Sequence, residues 1–389
     1  MIETLHRVFV RELRRILSHK IYLATLTLLP LLAMLLFVAL FSGGTPSRLA
    51  IAVVDEDHTS LSRKIVEMIR ATPEVDVCFM PSDETAGKQL IRQGKAYAMV
   101  VIPRNFEHDI LGVNPTSIAA YISGTNILTN GLISKGLLST ISTFTTSNRI
   151  NLLLSQGTPI KLAEAEAQAI RFDRHILFNP YTNYALYLLP VFLPMMLLIF
   201  TTTGTIFAIG SELRDATSAE WLQCANGSIG IALLGKLLPL IIAMCSLSAV
   251  MFSLLFVVVG IPIHTTSWVF IIYCLLLTAS YIGVSIFILS LTANMRLSLS
   301  LVGGYAVMAF SLSGLTFPTM AMHESIQWLG RIFPFTYFVR ASVNLVVRNA
   351  PMAYSLGDIA SLLCFLLPAI ATLPRLKHIS LNREYWGRN

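Results

Sequence analysis

Six runs of mostly apolar residues, each long enough to cross a bilayer as a helix, constrain this chain more than any other feature. A helix needs about 20 residues to span the ~30 Å hydrocarbon core of a membrane. Charged residues make up only 13% of the chain, against about a quarter in a soluble domain. We therefore predict an α-helical polytopic membrane protein with six transmembrane helices, at residues 21–41, 184–209, 229–259, 268–291, 297–317 and 354–373.

The segment between the first two runs has a different pattern. Short β-type stretches alternate there with segments of helical periodicity, which is typical of an α/β domain. The stretches lie at residues 48–57, 75–80, 96–102 and 117–122, with helices expected at 60–70 and 83–92. Residues 125–178 predict a long helical arm that returns to the membrane. The chain is thus expected to carry an inserted extracytoplasmic α/β domain, with its arm, at residues 42–182.

Basic residues concentrate at the two ends of the chain, whose net charge is +7. By the positive-inside rule, this places both termini in the cytoplasm. Residues 1–20 set an apolar face against several arginines, which predicts a cytoplasmic amphipathic helix lying in the membrane interface. Residues 374–389 are expected to form a basic cytoplasmic tail. Because membrane orientation accounts for the charge, no nucleic-acid partner is expected.

The spans carry few ionisable residues. Five of the six have no Asp, Glu, Lys or Arg in their interiors; Lys236 is the exception and is expected to snorkel from near the start of its run. Ion-coupled transporters need charged groups at membrane depth. The sequence also has no GxxxxGK[ST] loop, no nucleophile–base pairing and no metal-ligand spacing of its Cys and His residues. We expect no catalytic, cofactor or metal site here, so that any energy must come from another chain.

A charged segment follows the second run at residues 211–224. It combines charges at both ends with apolar residues between them, and predicts a short amphipathic helix on the cytoplasmic side. Such a helix suits docking into a soluble partner, although an ordinary solvated loop remains the alternative at this point. Its candidate residues are Glu212, Arg214, Asp215, Glu220 and Trp221.

A second segment, residues 318–350, lies between the fifth and sixth runs. Pro318 and Pro334 break its apolar stretches, and Tyr337 and Arg340 follow the second proline. The segment is too interrupted to cross the membrane and too apolar for open water. Backbone of this kind is tolerated where it is buried in protein, which predicts a re-entrant hairpin on the outer face.

The order and spacing of these segments resemble the permease subunits of type 2 ABC exporters, in the subfamily with a large extracytoplasmic domain after the first span. IAVVDED at 51–57 and AMVVIPRNF at 98–106 resemble that domain. Residues 212–222 resemble the coupling helix, and FPFTYFVR at 333–340 resembles the outer hairpin. Ala216 departs from the pattern, since glycine is common there.

The resemblance implies the transmembrane permease subunit of an ATP-driven ABC exporter in the bacterial inner membrane. Its substrate would be amphipathic, drug-like or lipid-like, and would leave the cytoplasm or the inner leaflet. The implied partners are two copies of a separate ABC ATP-binding subunit, which would hydrolyse ATP with Mg²⁺, a second permease copy or a paralogue, a periplasmic adaptor, and membrane lipid. The alternative is a membrane receptor or scaffold whose extracytoplasmic domain binds a ligand or partner; short cytoplasmic loops argue against it.

Overall fold

The computed structural model describes residues 2–167, 175, 177–180, 182–262 and 267–387. The chain divides into two compact units. One comprises Thr45–His175, and the other joins Met1–Gly44 to Ile176–Asn389. The second unit begins with three helices, α1 (Ile2–Ser18), α2 (Lys20–Leu26) and α3 (Leu28–Phe41).

The unit Thr45–His175 is built on a four-stranded sheet of order β2-β1-β3-β4. Strand β1 is parallel to β2 and β3, and β4 is antiparallel to β3. The described elements of this unit are, in chain order, β1 (Leu49–Asp55), α4 (Ser60–Arg70), β2 (Val75–Phe79), α5 (Glu84–Arg92), β3 (Ala98–Ile102), α6 (Phe106–Leu111), β4 (Ala119–Ile122), α7 (Ile127–Ser155) and α8 (Ile160–Ala167).

The two faces of this sheet are covered by different helices. Side chains alternate between the faces of a strand, so β1 and β3 supply both faces with apolar residues. Ile51, Val53 and Val100 pack on one face with buried residues of α4 and α7. Ala52, Val54 and Met99 pack on the other with Leu90 and Ile91 of α5. Strands buried on both faces read as continuous apolar runs, which is why the sequence marked them clearly.

Helix α7 differs from the predicted arm. Its buried residues Leu132, Ile133, Leu137 and Phe144 belong to the core that β1 and β3 form with α4. The first half of the predicted arm is therefore a structural layer of the sheet unit. Residues 168–174 and residue 176 of that prediction lie outside the described residues.

The helical unit continues after residue 182 with apolar helices of very different lengths. Short 3-10 and π-helical turns connect or extend several of them. The remaining elements are α9 (Tyr184–Arg214), α10 (Ser218–Cys224), α11 (Ile229–Ser253) with a π-helical extension (Leu254–Val258), α12 (Val269–Thr292), α13 (Met295–Ser311), a 3-10 turn (Thr319–Ala321), α14 (Glu324–Gly330), α15 (Pro334–Ser342) with a π-helical extension (Val343–Val347), a 3-10 turn (Met352–Ser355), α16 (Leu356–Cys364), α17 (Leu367–Leu381) and a 3-10 turn (Arg383–Tyr385).

Helices α9 and α12 lie at the centre of this unit. In each of them 61% of the most apolar window is buried, against 17% in the span Lys20–Phe41 and in the span Met352–Leu381. Helix α9 packs against α3, α11, α12 and α13, and α12 also packs against α17. The outer helices present apolar faces away from the protein, as membrane helices do toward lipid.

Five spans among the described residues are long and apolar enough to cross a membrane. This confirms a mostly helical, multi-pass membrane protein. The fifth predicted span differs, because α13 has 17 residues and ends at Ser311 rather than at residue 317. A helix of that length falls slightly short of the hydrocarbon thickness.

Two other spans differ in detail from the prediction. The first is broken at Thr27, which separates α2 from α3. The last extends to Leu381, so residues 374–381 of the predicted basic tail are helical. Arg375 fixes this extension to α12, because its side chain donates to the carbonyls of Ser290 and Leu291 at 2.8 and 3.3 Å. A cation at the C-terminal end of α12 stabilises that end.

Two prolines lie inside α9, and the fold compensates for one of them. Pro194 has no N–H, so the carbonyl of Pro190, four residues earlier, loses its helical partner. The hydroxyl of Ser342 in α15 donates to that carbonyl at 3.1 Å. This bond ties the second half of the predicted hairpin to the central helix.

Candidate functional site

The predicted cytoplasmic segment, residues 211–224, divides into two structural parts. Glu212 and Arg214 belong to the last turn of α9, and only Ser218–Cys224 form the separate helix α10. Between them Ala216 has a φ of 58°, a left-handed conformation that favours glycine. The substitution noted in the sequence therefore lies at the turn where α9 ends.

Glu212 is fully buried and accepts hydrogen bonds from two helices, α1 and α11, and from the turn that precedes α10. Arg11 of α1 donates to both of its carboxylate oxygens at 2.7 and 3.0 Å, and Arg15 donates to Oε1 at 2.5 Å. Lys236 of α11 donates to Oε1 at 2.7 Å, and the hydroxyl of Thr217 also donates to this carboxylate. Glu212 therefore joins α1 and α11 to the end of α9, although the sequence placed it in a helix suited to docking into a soluble partner.

Glu12 extends this arrangement along α1. It is 1% exposed and accepts from Lys236 Nζ at 2.5 Å and from the Tyr22 hydroxyl at 3.0 Å. Lys236 thus bridges two carboxylates, which corrects the expectation that it snorkels to water. We call Arg11, Glu12, Arg15, Glu212 and Lys236 the buried ion cluster.

The face of α1 that carries this cluster is packed against the protein, which the prediction of an interfacial helix did not include. Thr4, Val8, Glu12 and Ile16 recur at helical spacing and are buried, and α1 packs against α11. Gly235 of α11 makes the approach possible, since a Cβ there would lie 2.7 Å from the Cβ of Val8. The predicted apolar face is only partly retained, and Leu17 remains 61% exposed.

The charges of the buried ion cluster can be buried because they are paired with one another. Removing an ion from water costs several kcal/mol, which is repaid only with good geometry and saturated hydrogen bonds. Three cations and two carboxylates contact one another in the cluster. Asp215 adds a third carboxylate at the edge, 2.8 Å from Arg15. Its hydrogen bond with Arg214, aided by the charge of Arg15, holds the pKa of Asp215 below its usual value.

Helix α10 packs beside the buried ion cluster through Trp221. Its indole is fully buried and donates to the carbonyl of Ala232 at 3.2 Å. The Lys236 ammonium lies 5.5 Å from the centre of the Trp221 ring, which is within reach of a cation–π interaction. The hydroxyl of Ser218 donates to the carbonyl of Ser380 in α17 at 2.8 Å. One side of α10 is thus fixed to α11 and α17.

The opposite side of α10 is open. Glu220 and Gln223 are exposed, and Glu220 has no ion-pair partner among the described residues. Of the five predicted residues, the structure therefore places Glu212 and Trp221 inside the protein. Arg214, Asp215 and Glu220 remain at least partly accessible.

The predicted outer hairpin contains α14, α15 and the turns around them. Pro318 precedes a 3-10 turn and Pro334 begins α15. The guanidinium of Arg340 donates to Asp358 of α16, through Nε at 2.8 Å and through a second nitrogen. Asp358 is 1% exposed, so Arg340 supplies its counter-charge. Tyr337 donates to the carbonyl of Arg331 at 3.1 Å, within the hairpin segment.

The sequence analysis missed Glu12 and the role of Lys236. A signal was present, because Glu12 shares the α1 face of Val8 and Ile16 with apolar neighbours, and an acidic residue on such a face needs a partner. Lys236 lies inside an apolar run with the same need. Their pairing joins residues 224 positions apart, which no local pattern indicates.

Comparisons with known proteins agree with the membrane architecture. A model of the family described as ABC-2 family transporter protein matches residues 20–372. The match includes α2 and α3, the sheet unit, and all helices from α9 to α16. A search of curated proteins found no match.

Proposed function

The chain belongs to the ABC-2 family of transporter proteins, and from this premise we propose that it is the transmembrane subunit of an ATP-driven exporter. Membership makes it a transport subunit whose ATPase is a separate chain. Our proposal adds the direction and the cargo, an amphipathic, drug-like or lipid-like molecule leaving the cytoplasm or inner leaflet. It also places the protein in a bacterial inner membrane.

The proposed topology has six crossings. The five long spans and the shorter α13 would supply them, with α10 and both termini in the cytoplasm. The unit Thr45–His175 would then be extracytoplasmic, and the hairpin at residues 318–350 would lie at the outer face. The basic residues at both ends of the chain support this orientation.

The single observation that carries the proposed mechanism is the contact of α10 with the buried ion cluster. A partner that pushes on the open side of α10 pushes on Trp221, and Trp221 lies against Lys236. Lys236 in turn holds Glu12 of α1 and Glu212 of α9. Motion at α10 would therefore reach a central helix through buried, short contacts rather than through a flexible loop.

The proposed assembly contains two copies of an ABC ATP-binding subunit, which bind and hydrolyse ATP with Mg²⁺. A second copy of this permease, or a paralogue, completes the transport path. Membrane lipid covers the exposed apolar faces, and a periplasmic adaptor is a further proposed partner. This chain itself is proposed to bind no cofactor.

Co-purification tests the proposal. The tagged protein, isolated gently from its native host, is expected to carry a vanadate-sensitive ATPase. Glu220→Ala removes an exposed charge from α10, and we expect it to lower the co-purifying ATPase activity several-fold without changing the yield of folded permease. Glu324→Ala, which removes another exposed carboxylate, at the start of α14, is the matched control. Absence of any ATPase from folded protein would contradict the proposal.

A further inference from the structure

A cavity of about 640 Å³ lies within the unit Thr45–His175. Its walls are α6, the connection at residues 112–118, and the second half of α7. Pockets for small molecules typically enclose about 300–1,000 Å³ and are mostly apolar with a few placed polar groups. Neither the transport proposal nor the family membership involves this cavity, so the cavity needs an explanation of its own.

The inner part of the cavity is apolar. Phe106 and Phe144 are 1% and 2% exposed, and their rings are stacked with centroids 5.9 Å apart. Leu61 and Ile141 extend this surface. The floor is therefore the edge of the same core that holds the sheet to α4 and α7.

The outer part contains apolar residues that are strongly exposed. Leu111 is 64% exposed and Val113 is 61% exposed, although both line the cavity. Val113 also has a φ of 56°, which is unusual for a β-branched residue and costs of order 1–3 kcal/mol. The side chain of Val113 stays mostly exposed in this conformation, whereas an apolar occupant would cover it.

Two donors on α7 lie among these apolar residues. The Nδ2 atom of Asn148 is buried without a hydrogen-bond partner among the described residues. The neighbouring Arg149 also lines the cavity, and its guanidinium has no ion-pair partner in the described part of the chain. A buried amide N–H without a partner costs free energy. The Nδ2 atom of Asn148 and the guanidinium nitrogens of Arg149 are hydrogen-bond donors and cannot accept. They call for an acceptor.

We propose that this cavity binds an amphipathic anion, with an apolar chain or ring against Phe106 and Phe144 and an anionic head at Asn148 and Arg149. Among the described residues that line the cavity, none is Asp or Glu, so a cationic head finds no counter-charge there. A carboxylate or phosphate head accepts from an amide and a guanidinium at once. The site is independent of the proposed ATPase coupling, because every lining residue belongs to Thr45–His175.

Photolabelling of the full-length protein tests the site. The protein is placed in phosphatidylcholine nanodiscs, without any ATPase, and exposed to a dodecanoate that carries a diazirine. We expect labelled peptides from residues 106–118 and 141–155, with labelling reduced by excess dodecanoate and unchanged by dodecyltrimethylammonium. Equal competition by the cation, or labels confined to other segments, would overturn the proposal.

Variants separate the site from general partitioning. Arg149→Gln and Asn148→Leu should each raise the half-saturating probe concentration about tenfold, the effect of losing one charge-assisted or buried hydrogen bond. Lys135→Gln is the matched control, since Lys135 is a cation on the same helix that does not line this cavity. Equal labelling of all three variants would show adsorption to the surface and contradict the site.

Changing the lipid of the nanodiscs distinguishes a membrane lipid from a free amphiphile as the ligand. In discs containing phosphatidylglycerol, reduced labelling identifies the anionic lipid itself as an occupant, and unchanged labelling identifies a free amphiphile; both have the proposed chemistry. A co-purifying peptide cross-linked at residues 141–155, with no dodecanoate label, would overturn the proposal in favour of a protein partner.

Discussion

Lys236 has two carboxylate partners and is shielded from water by the protein. Its ammonium contacts Glu12 at 2.5 Å and Glu212 at 2.7 Å, and its side chain is fully buried. Lys236→Met keeps a long unbranched side chain but leaves two carboxylates without that cation. Because breaking one partner of a buried pair costs about 3–5 kcal/mol, we expect a lower thermal midpoint and loss of folded protein in a size-exclusion assay.

The control for Lys236→Met is Lys88→Met. Lys88 pairs with Glu84 one helical turn away on an exposed surface, where solvent screening leaves such a pair little net effect on stability. Glu12→Gln combined with Lys236→Met should recover part of the lost stability, since one uncompensated charge is removed. If Lys236→Met behaves like Lys88→Met, the buried ion cluster does not hold the helices together.

Asp57 organises a turn of the sheet unit in a similar way. Its carboxylate accepts from the Thr59 hydroxyl at 2.5 Å and from the backbone N–H groups of Phe106 and Glu107 at 3.1 and 3.0 Å. Burial alone would raise the pKa of Asp57, but these hydrogen bonds outweigh it and lower the pKa. The Asp57 carboxylate is thus occupied by the protein's own donors.

The lowered pKa of Asp57 predicts a pH dependence. The folded state favours the ionised carboxylate of Asp57. Its contribution to folding stability is therefore complete above the unfolded pKa and is lost as the pH falls through the folded pKa. Asp57→Asn should speed amide hydrogen exchange in residues 105–111 at pH 7, by an amount that corresponds to about 1 kcal/mol. The difference from wild type should shrink toward pH 3. A difference that is independent of pH would contradict this role.

At the scale of elements, periodicity and length predicted most of the α/β unit. Strands β1 and β3 are buried on both faces, and their apolar runs are therefore continuous in sequence. The spans were equally visible, because no other structure needs so many consecutive apolar residues. The break at Thr27 and the early end of α13 depend on packing and were not predictable from composition.

The segment at residues 211–224 shows where local patterns fail. The sequence treats its charges as one amphipathic helix, whereas the structure assigns Glu212 to α9 and Glu220 to α10. Which of the two carboxylates faces water depends on Arg11, Arg15 and Lys236, all distant in sequence. The cavity beside α6 could not be predicted from a local pattern either, because its donors come from α7 and its apolar surface comes from several elements.

At the scale of the whole molecule, the ion pairs of the helical unit lie at two separate places. Among the described residues of the helical unit, the ion pairs lie at the buried ion cluster with its neighbour Asp215 and at the pair of Arg340 with Asp358. The first lies beside an open helix, α10, and the second connects the hairpin segment to α16. We expect the first to face the energy source and the second to face the opposite side of the membrane.

Site-specific photo-crosslinking in cells tests this arrangement most directly. A benzoyl-phenylalanine is placed at Gln223 on the open side of α10, and separately at Met320 in the hairpin segment, where the side chain is 97% exposed. We predict that position 223 captures a protein whose peptides include a nucleotide-binding GxxxxGK[ST] loop and that position 320 does not. Capture of that protein at position 320 alone, or of no such protein at position 223, would contradict a permease driven through α10.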